Sequence, residues 1–245
     1  MTHSLILATD LDGTFLGGSD DARQRLYDAI AARRAEMLLI FVTGRDLPFI
    51  RELCATTAVP WPDYVIGDVG TTIAGGDNLV PIEALEIPIA EAWGNRGDTV
   101  RAMLDGVPGL SLQATPFRYR VSYDYDPAAF DHSLVPEIEA KGFDVLISAD
   151  RFLDVLPSGV AKGPTLLRLI DHLGIAPGRV LVAGDTLNDL SLFETGLTGV
   201  AVGNSEPALK RRLQGRGTVY HSQGAGAAGI LEAIDHLQLL PELTA

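Results

Sequence analysis

The chain has 245 residues, 47% of them hydrophobic, which is enough to bury one large core or a core that carries a smaller insert. Its 32 acidic residues against 19 basic ones give a formal charge of -13, and a field of that sign repels nucleic acid and anionic lipid. We therefore expect no nucleic-acid or membrane partner, and an anionic substrate would need a bound cation or clustered Lys and Arg side chains.

Cysteine usage and the lengths of the apolar runs bear on the cellular compartment. Cys54 is the only cysteine, so an internal disulfide is excluded, and its helical surroundings favour a buried thiol over a reactive one. The first apolar run, residues 5–8, is too short for the core of a signal peptide, and no run has membrane-spanning length. We predict a soluble cytoplasmic protein that is a monomer or a weak oligomer.

Short apolar runs alternate with longer segments of helical period, which is typical of strand, crossover helix and strand in a parallel sheet. One helix is expected behind Asp20 and Asp21, which we predict to cap it, and another begins at Asp46, where Pro48 suits the first turn. Later helices are predicted at 190–194, 207–213 and 230–237. The predicted buried strands are residues 5–8, 38–42, 64–66 and 180–183.

The middle of the chain follows a different order, because residues 88–156 predict helix, two strands, helix and two strands. Residues 118–125 alternate in character, which suits an antiparallel sheet with one face in water. The second strand pair is predicted at 143–147 and 152–156, with a turn between them. The face expected to be packed carries Tyr119, Val121, Tyr123 and Tyr125, and the face expected to be wet carries Arg118, Arg120, Ser122 and Asp124.

These patterns predict an α/β protein with a Rossmann-like parallel-sheet core and an inserted α+β cap. The expected divisions are residues 1–84 for the first part of the core, 85–158 for the cap and 159–245 for the second part of the core. The two crossings, near 80–87 and 157–161, are the predicted hinges of a cap that opens and closes.

Polar segments follow three of the predicted buried strands, at the sheet edge where open α/β sheets bind ligands. Each segment alone is ambiguous, since the turn at Asp10 and Asp12 could be a solvated loop and Asp185 and Asp189 could cap a helix. Together, however, the strand ends should gather Asp10, Asp12 and Asp185, and such a cluster of carboxylates needs a cation. Oxygen donors without His or Cys favour Mg²⁺ over zinc.

A hydroxyl group and a lysine complete the candidate site. Thr43 offers a hydroxyl and neighbouring backbone N–H groups, and Lys162 a compact charge, both suited to phosphate oxygens. A strand-end hydroxyl in a turn is the plainer interpretation of Thr43. The sequence around Lys162 does not support ATP binding, because the lysine precedes Gly163 and the upstream glycine of a P-loop is missing.

The order of these four segments, with a cap between the second and third, resembles the haloacid dehalogenase superfamily of phosphohydrolases, in its Cof-like branch. The resemblance implies that Asp10 is the nucleophile and that Asp12 is the general acid and then the base. It also implies that Asp185 coordinates Mg²⁺ together with Asp10 and the backbone carbonyl of Asp12, with Asp189 supporting that metal site. The residues it places at the substrate phosphate are Thr43, Gly44, Arg45, Lys162 and Asn188.

A narrower likeness runs to sucrose-phosphate and mannosylfructose-phosphate phosphatases. It rests on segments such as 43–45, 120–123, 154–157 and 184–189, while Gly13 and Asp124 depart from frequent family residues. It implies hydrolysis of a disaccharide 6-phosphate such as sucrose 6-phosphate, and an upstream glycosyltransferase as partner. The cap residues expected to contact the sugar, each equally well interpreted as part of a solvated face, are Arg120, Ser122, Asp150 and Arg151.

Two other activities compete with hydrolysis of a disaccharide phosphate. A phosphomutase similar to phosphomannomutases would share the nucleophile and the acid but retain the phosphoryl group. A non-catalytic sugar-phosphate sensor is disfavoured, because a pure binder gains nothing from a nucleophile at Asp10 beside an acid at Asp12. Mannosylfructose phosphate and other sugar phosphates remain alternative substrates.

Overall fold

The computed structural model describes residues 3–115 and 117–240. Its strands are β1 (Leu5–Thr9), β2 (Met37–Val42), β3 (Tyr64–Gly67), β4 (Thr72–Gly75), β5 (Val80–Pro81), β6 (Leu110–Leu112), β7 (Val121–Tyr125), β8 (Phe143–Ser148), β9 (Phe152–Pro157), β10 (Val180–Gly184), β11 (Thr198–Ala201) and β12 (Val219–His221). Its α-helices are α1 (Asp20–Ala32), α2 (Leu47–Thr56), α3 (Glu83–Trp93), α4 (Gly97–Leu104), α5 (Leu134–Glu139), α6 (Lys162–His172), α7 (Leu190–Phe193), α8 (Pro207–Leu213) and α9 (Ala227–His236).

The larger sheet has the order β12-β11-β10-β1-β2-β3-β4-β5, and it is parallel from β12 to β3. The central strand β1 is buried along its whole length, because helices cover both faces of the sheet. Leu5 and Leu7 face the core packed by α1 and α9, whereas Ile6 and Ala8 face the core packed by α6 and α7. The carboxyl ends of β1, β2 and β10 therefore meet at one edge between the two helical layers.

A second, antiparallel sheet has the order β6-β7-β9-β8. Its own core contains Trp93 from α3, Val100 from α4 and Ile138 from α5, and the Trp93 ring meets Phe143 edge-on at 5.8 Å between centroids. The predicted α/β class, with a parallel-sheet core and a separate α+β unit between β5 and α6, is confirmed. No helix of the described ranges is long and apolar enough to span a lipid bilayer.

The beginning of α1 and the helices of the inserted unit differ from the prediction. Ser19, and not Asp20 or Asp21, caps α1, because its side chain accepts from the Ala22 N–H while the two acids lie in the first turn. The single helix expected near 88 is two helices, since the left-handed Gly94 ends α3 and α4 restarts at Gly97.

The prediction of a strand at 118–125 with one face in water is also wrong in part. Regular pairing begins only at Val121, and the preceding Arg118 and Arg120 contact Glu86 on α3 and the Gly44 carbonyl after β2. Arg120 and Ser122 are buried on the face that was expected to be solvated. Strands β11 and β12 were not predicted, because each is short and carries little of the apolar signal that marked β1 and β2.

Candidate active site

Four segments converge at the carboxyl edge of the larger sheet. Asp10 follows β1 directly, Thr43 follows β2, and Asp185 follows β10, while Lys162 is the first residue of α6. The ladder explains the convergence, since β1 pairs in parallel with both β2 and β10, so their ends lie side by side.

Three buried carboxylates form the centre of this edge. Asp10, Asp185 and Asp189 each present an oxygen within 4.8 Å of the others, and all three side chains are buried. The Nζ atom of Lys162 lies 2.7 Å from Asp10 Oδ1, 2.6 Å from Asp189 Oδ1 and 2.8 Å from Asn188 Oδ1. One cation thus faces three acids, and the cluster retains excess negative charge.

The titration behaviour of the cluster reflects this excess. Burial raises the pKa of Asp10 well above its usual range, opposed by the charge of Lys162. Burial, followed by repulsion from Asp189, raises the pKa of Asp185 to about 7. For Lys162, burial lowers the pKa, but the carboxylates of Asp10 and Asp189 outweigh that effect and the pKa is raised. The Lys162 side chain therefore stays positively charged. A second cation in the cluster would stabilise the ionised forms of the three carboxyl groups.

A hard divalent cation fits this donor set. The donors are carboxylate oxygens, and the nearest basic group, Lys162, cannot neutralise three acids. Asp185 is oriented from one side by Thr14, whose hydroxyl donates to Asp185 Oδ1 at 2.8 Å. The residues present are thus suited to hold a divalent ion, through Asp10 and Asp185 with Asp189 behind them.

Asp189 has a structural role as well as membership of the cluster. Its Oδ2 accepts from the backbone N–H groups of Asp185 at 2.9 Å and Thr186 at 3.0 Å. Asp189 thus completes a capping box for the short helical turn 187–189, whereas it does not cap the following helix α7 through its side chain, and the same side chain supplies Oδ1 to Lys162. The loop after β10 is fixed by the acid that it presents.

The carboxylate of Asp12 lies apart from the three clustered acids. Its two oxygens accept from Arg45, at 2.8 Å from Nε and 2.9 Å from Nη2. The third carboxylate beside Asp10 and Asp185 is that of Asp189, so the expected grouping of Asp10, Asp12 and Asp185 side chains is wrong in its second member. Asp12 has φ of -68° and ψ of 120°, outside the helical range, and its carboxylate pairs with Arg45 instead.

A cleft of about 480 Å³ opens above the cluster, between the two sheets. Among the residues expected at the substrate, those on its wall are Asp10, Asp12, Gly44, Arg45, Arg120, Arg151 and Asn188. Thr43 and Lys162 have no exposed surface. Ser122 does not line the cleft because its hydroxyl donates to Asp154 Oδ1 at 2.5 Å, and the exposed Asp150 lies outside the wall, in the turn between β8 and β9.

Aromatic rings on the cleft wall were missed in the sequence. Three of them carry an arginine over the ring face, with the guanidinium carbon 4.4 Å from the Phe49 centroid, 3.6 Å from Phe117 and 5.0 Å from Phe152. Phe117 lies in an irregular segment, so no periodic pattern marked it. Further wall residues that were not predicted are Asp46, Val69, Gln113, Thr115, Ser148, Ala149, Asp154 and Thr186.

The family model for sucrose-6F-phosphate phosphohydrolase matches residues 3–238. The chain belongs to this family. Its relatives include the mannosylfructose-phosphate phosphatase of Agrobacterium fabrum, 30% identical over 96% of this chain and 98% of that protein. They also include the glucosylglycerol-phosphate synthase of Pseudomonas anguilliseptica, 44% identical over 96% of this chain.

The sucrose-6F-phosphate phosphohydrolase fold is also seen in a solved structure, the Synechocystis sucrose-phosphatase in complex with sucrose and phosphate. The TM-score is 0.88 at 31% identity, covering 97% of this chain and 99% of that one. The predicted resemblance to sucrose-phosphate phosphatases, and the haloacid dehalogenase fold that it implies, are confirmed. The chain spans only 31% of the glucosylglycerol-phosphate synthase.

Proposed function

We propose that this chain is a Mg²⁺-dependent phosphatase that hydrolyses the phosphate monoester of a small glycoside through a phosphorylated Asp10. The observation that carries the proposal is the contact of Asp10 with Lys162 at 2.7 Å inside a cluster of three buried acids on the floor of a cleft. A carboxylate so placed is both oriented and desolvated, which suits a nucleophile. Membership of the sucrose-6F-phosphate phosphohydrolase family supports the same chemistry.

The metal site proposed for the reaction uses oxygen atoms only. Asp10, Asp185 and the backbone carbonyl of Asp12 would hold Mg²⁺, with Asp189 supporting the loop that carries Asp185. When bound, the ion neutralises charge on the phosphoryl oxygens. Lys162 donates to Asp10 Oδ1 and so fixes the plane of the nucleophilic carboxylate.

The proposed reaction has two covalent steps, and residues of the cleft supply the protein groups for both. A carboxylate oxygen of Asp10 forms a bond to phosphorus while the bond from phosphorus to the sugar oxygen breaks. Asp12, protonated on an oxygen that it has released from Arg45, gives the sugar oxygen its proton. Water then attacks phosphorus, returns a proton to Asp12 and restores the Asp10 carboxylate. Thr43, Gly44, Arg45, Lys162 and Asn188 are the proposed phosphate-binding residues, and the net reaction consumes one water.

The inserted unit is proposed to act as the cap. We assign residues 85–158 to it, with hinges at 80–87 and 157–161, because its sheet faces the cluster across the cleft. Arg151 remains a candidate for contact with the sugar, whereas the contacts of Arg120 with Asp154 and the Gly44 carbonyl favour a positioning role over the predicted sugar contact. The hydrogen bond of Ser122 to Asp154 favours a structural role for Ser122 over sugar binding. Asp150 is exposed and lies outside the cleft wall.

Sucrose 6-phosphate is the proposed substrate. The family description and the sucrose-phosphatase that holds sucrose and phosphate support it. The cleft, with polar groups and aromatic rings on its wall, is of the kind that binds a glycoside. An upstream glycosyltransferase that makes the phosphorylated sugar is the proposed partner.

Glucosylglycerol phosphate is the second candidate substrate. The matched part of the glucosylglycerol-phosphate synthase is 44% identical over 237 residues, which is 96% of this chain and 31% of that protein. A synthase that forms a phosphorylated glycoside leaves a phosphate ester that this segment is equipped to hydrolyse. Mannosylfructose phosphate is a further alternative, on the basis of the Agrobacterium relative.

A substrate panel with Mg²⁺ tests the proposal. Sucrose 6-phosphate, glucosylglycerol phosphate, mannosylfructose phosphate and simple hexose phosphates are compared by kcat/KM from release of inorganic phosphate. We expect a preference for a glycoside phosphate over hexose phosphates. An isomeric sugar phosphate as product would identify a phosphomutase, and hydrolysis of nucleotides or phosphopeptides alone would overturn the proposal.

A further inference from the structure

The loop Thr43-Gly44-Arg45 is held through its three carbonyl oxygens. The Val69 N–H donates to the Thr43 oxygen at 3.0 Å, and the Asp68 N–H donates to the Arg45 oxygen at 3.0 Å. The Gly44 oxygen accepts instead from Nη2 of Arg120 at 2.9 Å. Two of these donors belong to the core turn after β3, and the middle one belongs to the segment that leads into the second sheet.

Arg120 is itself fixed by the second sheet. Its Nη1 donates to Asp154 Oδ1 on β9 at 2.8 Å, and the Phe117 ring lies 3.6 Å from its guanidinium carbon. The residue is 5% exposed, and within the described ranges its Nε has no hydrogen-bond partner. Its Nη2 also lies 3.6 Å from Asp68 Oδ1, so the guanidinium faces two buried carboxylates, and buried ion pairs of this kind add little net stability. The arrangement is therefore better explained by the position that it enforces.

The Gly44 carbonyl and the Arg45 N–H belong to one planar peptide group and point in opposite directions. The Arg45 N–H donates to Thr43 Oγ1 at 3.2 Å. Gly44 has no side chain to restrain this plane, and the nearest neighbour of a Cβ built there would be Val69 at 3.8 Å. Arg120 thus restrains the peptide from which the Arg45 side chain extends to Asp12.

We infer that Arg120 is a positioning residue that fixes the Gly44 carbonyl, and thereby Arg45 and the carboxylate of Asp12, so that the second sheet holds the proposed acid in place. The inference rests on the proposed function. It adds that proton delivery depends on contact between the two sheets. Phosphorylation of Asp10 does not depend on that contact when the leaving group needs no proton.

Leaving groups of different basicity separate these two requirements. When phosphorus parts from a sugar oxygen, the electron pair stays on an alkoxide that must take a proton from Asp12. When phosphorus parts from p-nitrophenolate, the anion leaves without one. In rapid-mixing experiments the burst of p-nitrophenol reports formation of the phosphorylated enzyme alone, because hydrolysis of that intermediate follows it.

The test compares Arg120→Lys with the wild-type protein on p-nitrophenyl phosphate and on the glycoside phosphate that the wild type hydrolyses. We expect kcat for the glycoside phosphate to fall about 10- to 100-fold, the scale of general acid catalysis, while the burst rate changes less than about threefold. KM should change less than about threefold, since a residue that only bound substrate would alter KM first.

Arg118→Lys is the matched control. Arg118 also joins the segment before β7 to the larger sheet, because its Nη2 donates to Thr72 Oγ1 on β4 at 3.2 Å, but it has no contact with the Gly44 loop among those described. We expect this variant to keep the wild-type ratio between the two substrates. If Arg120→Lys does not fold, Phe117→Leu, which removes the ring beneath the guanidinium, should shift the ratio in the same direction by a smaller factor.

Arg45→Lys completes a double-mutant cycle. Because Arg45 is also proposed to bind the phosphate, its variant should lower the burst rate as well as kcat for the glycoside phosphate. The Arg120→Lys, Arg45→Lys double variant should lose no more kcat for the glycoside phosphate than the worse single variant. Equal losses on both substrates in Arg120→Lys, a rise in its KM alone, or additive effects in the double variant would overturn the inference. A wild-type protein that hydrolyses no glycoside phosphate would instead reject the proposed function.

Discussion

Lys162 has no exposed surface and lies between the carboxylates of Asp10 and Asp189. Replacing it by Met removes the positive charge from a buried acidic cluster, and breaking such a pair costs about 3–5 kcal/mol. We expect Lys162→Met to lower the free energy of unfolding in urea by that order near pH 8 without metal. The exposed Lys210, which donates to the Gly203 oxygen, is the control, and Lys210→Met should change stability by less than about 0.5 kcal/mol. Equal effects of the two substitutions would refute this account of the cluster.

Asp185 gives the stability a defined pH dependence. Its pKa of about 7 in the folded protein exceeds that of an unfolded Asp, so between the two values the folded state binds more protons. The free energy of unfolding of the metal-free protein should therefore decrease as pH rises from about 4 to about 7. Mg²⁺ competes with the proton, so the increase in Tm that it causes should grow over the same range.

Thermal melts with and without Mg²⁺ across this pH range check the expectation. Asp185→Asn should flatten the metal-free profile, because the amide does not titrate. Tm profiles that stay parallel with and without the ion would show that Asp185 is not a site of this competition.

At the scale of elements, the turn after β1 depends on Gly13. Its φ is 81°, and a Cβ there would lie 2.2 Å from Asp185 Oδ2. Gly76 has a similar φ of 76°, and a Cβ there would have nothing within 4 Å. Gly76→Ala therefore measures only the cost of placing alanine in a left-handed backbone conformation, about 1–2 kcal/mol. We expect Gly13→Ala to cost more in urea unfolding and to weaken Mg²⁺ binding in calorimetry, while Gly76→Ala leaves Mg²⁺ affinity unchanged. Matching losses in both variants would mean that Asp185 moves aside freely.

The strand ends could be predicted from the sequence because each carries a buried apolar run followed by polar residues, and a parallel sheet brings such ends together. This logic found Asp10 and Asp185 beside each other. It failed for the Asp12 carboxylate, which pairs with Arg45, and it did not by itself mark Asp189, which only the family resemblance placed at the metal site and whose contact with Lys162 joins residues 27 positions apart. The direction of a side chain and its pairing with a distant residue depend on tertiary structure, which a local sequence pattern does not reveal.

Arg120 and Phe117 show the same limit in the inserted unit. Alternation correctly put Val121 and Tyr123 on a packed face, but it also put Arg120 on a wet face, where the core loop in fact covers it. A pattern of period two describes one sheet and contains no information about a second body packed against it. The cleft wall lies where the larger sheet and the inserted unit meet, so its aromatic residues could not be predicted from the pattern of either one.

At the scale of the whole molecule, we expect the second sheet and its helices to move relative to the larger sheet when substrate binds. Spin labels attached at Asp20→Cys on α1 and Asp98→Cys on α4 would report the distance between the larger sheet's helices and the inserted unit. Both side chains are almost fully exposed, so labels should be tolerated there. The native Cys54 should not interfere, because burial raises the pKa of its thiol to about 11. Distance distributions should narrow on adding Mg²⁺ and vanadate, and unchanged distributions would contradict a moving cap.

The most direct measurement of the central claim is the site of phosphorylation. The protein is mixed with Mg²⁺ and the glycoside phosphate that it turns over, quenched in acid within one turnover, digested and examined by mass spectrometry. We expect the mass of one phosphoryl group on the peptide that contains Asp10, and its loss in Asp10→Asn together with turnover. Phosphate release without a labelled peptide, with the label elsewhere, or with full turnover in Asp10→Asn would contradict the account.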